Sequence, residues 1–146
     1  EYTITPGEKT TTISGKGKAG LKQEENYYFF YLPVCYKGIT GKSYAYYNTS
    51  RSKNLYLPAS VDENYSYDIQ LPENLTLCTP IQEKKIDNPI GSFKITLTSE
   101  GSSLHIELAL QIKKQLITPA EYPAFRSLIT EWTDRTRKPI LFKTVQ

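Results

Sequence analysis

Hydrophobic and polar positions alternate most regularly between Ser92 and Lys113. Phe93, Ile95 and Leu97 alternate with Lys94, Thr96 and Thr98. After a Ser-Glu-Gly-Ser break, Leu104, Ile106, Leu108, Leu110 and Ile112 alternate with His105, Glu107, Ala109, Gln111 and Lys113. Successive side chains of a strand point to opposite faces, so this pattern predicts an antiparallel hairpin with one apolar and one wet face. A second clean alternation, Glu63–Leu71, sets Tyr65, Tyr67, Ile69 and Leu71 against Asn64, Ser66, Asp68 and Gln70, and Pro72 closes it.

Weaker signals fill in the rest of the chain. An edge strand is predicted around Thr10–Ser14, followed by the flexible run Gly15 to Gly20, GKGKAG. Glu24–Leu32 (EENYYFFYL) carries apolar residues on both faces, Tyr28, Phe30 and Leu32 against Tyr27, Phe29 and Tyr31. That suits a central strand covered on both sides, or one whose outer face meets a partner. Further strands are read at Ser43–Asn48, around Leu55–Leu57, at Leu75–Thr79 and at Ile140–Val145, while the charged stretch before Asn88-Pro89 reads as irregular. One helix interrupts the pattern, from about Pro119 to Arg135. Thr118 and Glu121 have capping-box spacing, and Tyr122, Phe125, Leu128, Ile129 and Trp132 share one face. Pro123 lacks a helical donor, so the first turn should be tight or the helix should start there. The fold class that follows is all-β: an Ig-like antiparallel β-sandwich with one C-terminal α-helix and a final strand.

Composition narrows the class without naming a function. At 146 residues the chain fits a single domain, 1–146, with a core of its own, and the twelve Tyr supply much of the apolar bulk. A net charge of +3, from scattered Lys and Arg, gives no footprint for nucleic acid. No apolar run is long enough to span a bilayer. The absence of Met suggests a mature secreted protein or a piece of a longer one. Cys35 and Cys78 are too few for a disulfide framework; they are either one candidate bridge in an oxidising compartment or two buried thiols.

Candidate chemistry is sparse. A cysteine nucleophile would need His105, the sole His, beside Cys35 or Cys78, yet His105 lies on the wet face of a regular strand. His105 and Glu107 as metal ligands have no supporting cluster, and no Gly-rich phosphate loop precedes a helix. Catalytic residues, metal ligands and cofactors are therefore all read as none. The Asn-X-Ser/Thr triplets at Asn48, Asn64 and Asn74 are read as incidental. The most suggestive surface is aromatic: Tyr27, Phe29, Tyr31, Tyr44 and Tyr46 form a candidate interface, since tyrosine joins an apolar face to a polar tip, although tyrosine also packs well on a pleated sheet and simple structural packing is the plainer reading.

Four segments together resemble a known family: Arg51 to Pro58 (RSKNLYLP), Tyr65 to Leu75 (YSYDIQLPENL), Asn88 to Phe93 (NPIGSF) and Leu108 to Leu128 (LALQIKKQLITPAEYPAFRSL). Their order is similar to that in the β-sandwich domain that follows a transglutaminase-like core in secreted bacterial multidomain proteins. The resemblance runs from about Leu21 to Val145. In that family the Cys-His-Asp site of the cysteine-peptidase-like core lies in the preceding domain, and no segment here matches it. The resemblance thus implies a non-catalytic accessory domain from the C-terminal end of a larger protein, exported to the periplasm or cell surface, with a neighbouring domain of the same chain as partner. The alternative is a free-standing carbohydrate-binding or adhesion module.

Overall fold

The structure is a computed structural model that describes residues 1–8, 10–33, 50–134 and 139–145. The expected strand Ser43–Asn48, the residues Cys35, Tyr44 and Tyr46, and the helix end at Arg135 lie outside the described residues.

Two four-stranded antiparallel sheets form the body. The larger consists of β6 (Val61–Gln70), β8 (Gln82–Asn88), β9 (Gly91–Glu100) and β10 (Ser103–Ile112), in the order β6-β10-β9-β8. The smaller consists of β3 (Lys22–Glu24), β4 (Tyr27–Tyr31), β7 (Leu75–Leu77) and β12 (Pro139–Thr144), in the order β3-β4-β12-β7. Two short pairs complete the set: β1 (Tyr2–Pro6) with β2 (Thr11–Gly15), and β5 (Leu55–Tyr56) with β11 (Leu116–Ile117). The result is an all-β sandwich with one helix, α1 (Tyr122–Thr133), among the described residues.

The central hairpin forms as its alternation predicts. Leu108 pairs with Ile95 on one side and Tyr65 on the other, so all three strands turn their apolar rows the same way. Gly101, at φ 57°, makes the tight connection, a conformation in which Cβ would be unfavourable. This one inner face has two covers. Leu97, Leu104 and Ile106 pack with Leu32, Leu75, Ile140 and Phe142 of the smaller sheet and its flanks. Phe93, Ile95, Leu108, Leu110 and Ile112 pack with the helix residues Phe125, Leu128, Ile129 and Trp132, and with Leu55 and Ile117.

Three expectations need correction. The charged stretch before Asn88 is a regular strand, β8, whose inward row is Gln82, Lys84, Ile86 and Asn88. Polar residues are tolerated there because the helix supplies partners: Lys84 Nζ donates to Glu131 Oε1, and Asn88 Nδ2 donates to Ala124 O at 3.1 Å. The run Glu24–Leu32 is not one strand but a hairpin, β3 to β4, turning at Glu25 with φ 52°. The helix begins at Tyr122, after a turn in which the N–H of Tyr122 donates to Thr118 O at 3.0 Å. Only half of the capping box forms: Glu121 Oε2 accepts the Thr118 N–H at 3.1 Å, while the Thr118 hydroxyl caps no backbone N–H. Pro123 falls in the first turn, where its missing donor has no intrahelical acceptor to lose.

Candidate functional site

β4 lies inside the smaller sheet, between β3 and β12, and its two rows have different fates. Tyr28 and Phe30 face the core, whereas Tyr27, Phe29 and Tyr31 form a row on the outer face. Tyr27 is 44% and Tyr31 56% exposed. The strand is thus not covered on both sides throughout, since Tyr27 and Tyr31 stay exposed while Phe29 is half-buried. Alternate residues on a strand stand about 6.8 Å apart, so the three rings make a ladder about 14 Å long. Register widens it: Leu141 lies opposite Phe29 and Pro139 opposite Tyr31, both half-buried. Lys22 flanks Phe29 on the other side, and Lys143 flanks Tyr27. Gly17, Ala19 and Gly20 line an open depression of about 450 Å³ beside Phe29 and Tyr31. The alternation in ILFKTV signals that Leu141 and Lys143 share a row, but their register against β4 is not legible in sequence.

This face has broad apolar contact area, polar tips and basic flanks. Rings and ammonium groups in such a row are suited to binding a surface. Among the described residues no group of three or more His, Cys, Asp and Glu is arranged to hold a metal ion. Cys78 is half-buried, and Cys35, the other half of the candidate bridge, lies outside the described residues.

His105 sits where the alternation places it, on the outer face of the larger sheet, and it is part of a charge ladder. Its Nδ1 is 2.7 Å from Asp68 Oδ1, and its Nε2 is 3.5 Å from Glu107 Oε1. Glu107 Oε2 in turn accepts from Lys94 Nζ at 2.7 Å. The Asp68 carboxylate, and secondly Glu107, raise the His105 pKa above its ordinary value. The ladder reads as cross-strand pairing on a wet face. A third feature, missed by sequence reasoning, is an open groove of about 420 Å³ beside the helix, lined by Arg51, Tyr122, Arg126 and Thr130 among others. There the Arg51 guanidinium lies 5.9 Å from the Tyr122 ring centroid, within cation–π reach.

The deciding observation is a family match over most of the chain: residues 26–142 fit DUF3858, a domain of unknown function with a solved structure. The chain belongs to this family. As a DUF3858 domain it is similar to a crystal structure described as a "putative protease" from Parabacteroides distasonis ATCC 8503, with 31% identity and a TM-score of 0.70. The similarity covers 84% of this chain and 24% of that one. The DUF3858 chain therefore spans about a quarter of the length of the solved relative. No curated protein matches the sequence.

Proposed function

We propose that this DUF3858 domain is a non-catalytic accessory domain that supports a neighbouring transglutaminase-like domain of an exported bacterial polypeptide, in the periplasm or at the cell surface. The observation that carries the reading is the relative just described, in which the matched segment is 24% of a protease-named chain. The outer row of Tyr27, Phe29 and Tyr31 offers a surface for such a neighbour. The segments NPIGSF and LALQIKKQLITPAEYPAFRSL, which carry the family resemblance, form the hairpin entry and the helix and leave that row free.

The test is a comparison of the 146-residue chain with the polypeptide that contains it. Peptide hydrolysis and amine transfer are expected from the longer polypeptide and not from the chain alone. Replacing Tyr27 and Tyr31 by Ser is expected to lower the thermal stability of the longer polypeptide while leaving the isolated chain folded. Turnover by the isolated chain that vanishes in His105→Ala would overturn the reading. Oligosaccharide binding that needs Tyr27 and Tyr31, with no effect on the longer polypeptide, would replace it by the adhesion module.

A further inference from the structure

The hairpin of β1 and β2 stands outside the family fold. It precedes residues 26–142, and neither apolar core draws a buried residue from it. Its register sorts its side chains by chemistry. Tyr2, Ile4 and Pro6 share one face with Gly15, Ile13 and Thr11, and Thr3 and Thr5 share the other with Ser14 and Thr12. One side is apolar but for Thr11, and the other bears only hydroxyls. The apolar side is bare: Tyr2 is 74%, Ile4 54% and Ile13 61% exposed. A two-stranded hairpin is at best marginally stable in water, and burial of an apolar face is what would hold this one.

We infer that this hairpin is a docking element, and that one neighbouring domain of the same polypeptide covers both its apolar face and the aromatic row of the smaller sheet. The inference rests on the accessory-domain reading and adds the surface that serves it. Three observations fix the occupant. The tether from Lys16 to Gly20 reaches at most about 17 Å, so whatever covers the hairpin lies close to the smaller sheet. That tether itself lines the depression beside Phe29 and Tyr31, so the end of it nearest the sheet is seated at the aromatic row. Around both surfaces Lys16, Lys18, Lys22 and Lys143 are exposed, and so are Glu1, Glu8, Glu24 and Glu25, so the matching face has an apolar centre and a rim of mixed charge. The relative's remaining chain, beyond the 24% matched, shows that such domains occur with a large neighbour.

Hydrogen exchange tests this directly on the 146-residue chain and on the polypeptide that contains it. Amides of Thr3 to Thr5 and Thr12 to Ser14 are expected to exchange at least roughly tenfold more slowly in the longer polypeptide. The double variant Ile4→Asp with Ile13→Asp should abolish that difference, speed proteolysis between Gly15 and Gly20, and leave the urea midpoint of the isolated chain unchanged. Slow exchange in the isolated monomer would overturn the inference, because the hairpin would then be covered by its own domain. Protection that rises with concentration alongside a dimeric mass would overturn it in favour of a second copy. Equal exposure in both proteins would remove the docking role outright while leaving the activity comparison above unaffected.

Discussion

Gly91 is where a single atom matters most. It opens β9 opposite Asn88 and Ile112, and a Cβ built there would lie 1.8 Å from the backbone oxygen of Gln111. Backbone in the middle of a sheet cannot yield as a flexible side chain does. Gly91→Ala is expected to cost about 1–3 kcal/mol or more, read as a lowered urea midpoint at unchanged slope. Beside it, Asn88 Oδ1 accepts the Ile90 N–H at 2.9 Å while its amide reaches the helix, so one side chain ties the turn to α1. The turn at Asn88-Pro89 is legible in sequence; the link to a helix 36 residues later is not. Ionisation is also a residue-scale matter. His105 should titrate above its ordinary value of 6.5, and Asp68→Asn should bring it down, as followed by imidazole NMR shifts. A raised folded pKa means a contribution fully present below the unfolded value and lost as pH rises through the folded one. Glu121 runs the other way. Lys114, then the Thr118 N–H, hold it at about 2 against an ordinary 4.5, so its contribution is present above 4.5 and is lost as pH falls towards 2. Stability should therefore decline on both limbs, with the acid limb flattened by Glu121→Gln.

At the scale of elements, legibility follows whether an element's partners are apolar. β9 and β10 can be read from alternation because their inner rows bury Phe, Ile and Leu. β8 cannot, since its inner row is mostly polar and is satisfied by Glu131, Ala124 and Ser127 of a distant helix. The β3–β4 turn escapes because Glu25 takes a left-handed conformation that usually marks Gly or Asn. The helix face is legible throughout: Tyr122, Phe125, Leu128, Ile129 and Trp132 are all buried. Trp132, 5% exposed, packs against Tyr65 with ring centroids 5.9 Å apart. Trp132→Ala is expected to cost about 3–5 kcal/mol, and the native Trp emission should be blue-shifted and move red on unfolding. An unchanged urea midpoint in that variant would take the helix out of the core.

For the whole molecule, the candidate site divides along the same line. Tyr27, Phe29 and Tyr31 are legible as a surface because six consecutive apolar residues cannot all face one way along a strand. Their neighbours Pro139 and Leu141 are not, because register over more than a hundred residues is set by the packing of Ile140 and Phe142 on the other face. Of the first hairpin, β2 is the edge strand expected around Thr10–Ser14, whereas β1 escapes: Tyr2, Ile4 and Pro6 repeat with the right period, but alternate with threonine, which suits a strand as well as they do.

The order β3-β4-β12-β7 has a temporal meaning as well as a spatial one. β12 lies between β4 and β7, yet it is synthesised after every other strand. Until Pro139 to Thr144 leave the ribosome, β4 has no partner but a three-residue strand, and β7 has none among the described residues. The helix that covers the rest of the inner face comes immediately before, so both halves of the core close only over the last few dozen residues. Folding of this domain is thus gated by the synthesis of its last strand: until β12 emerges the nascent domain stays open, and both halves of the sandwich then shut together.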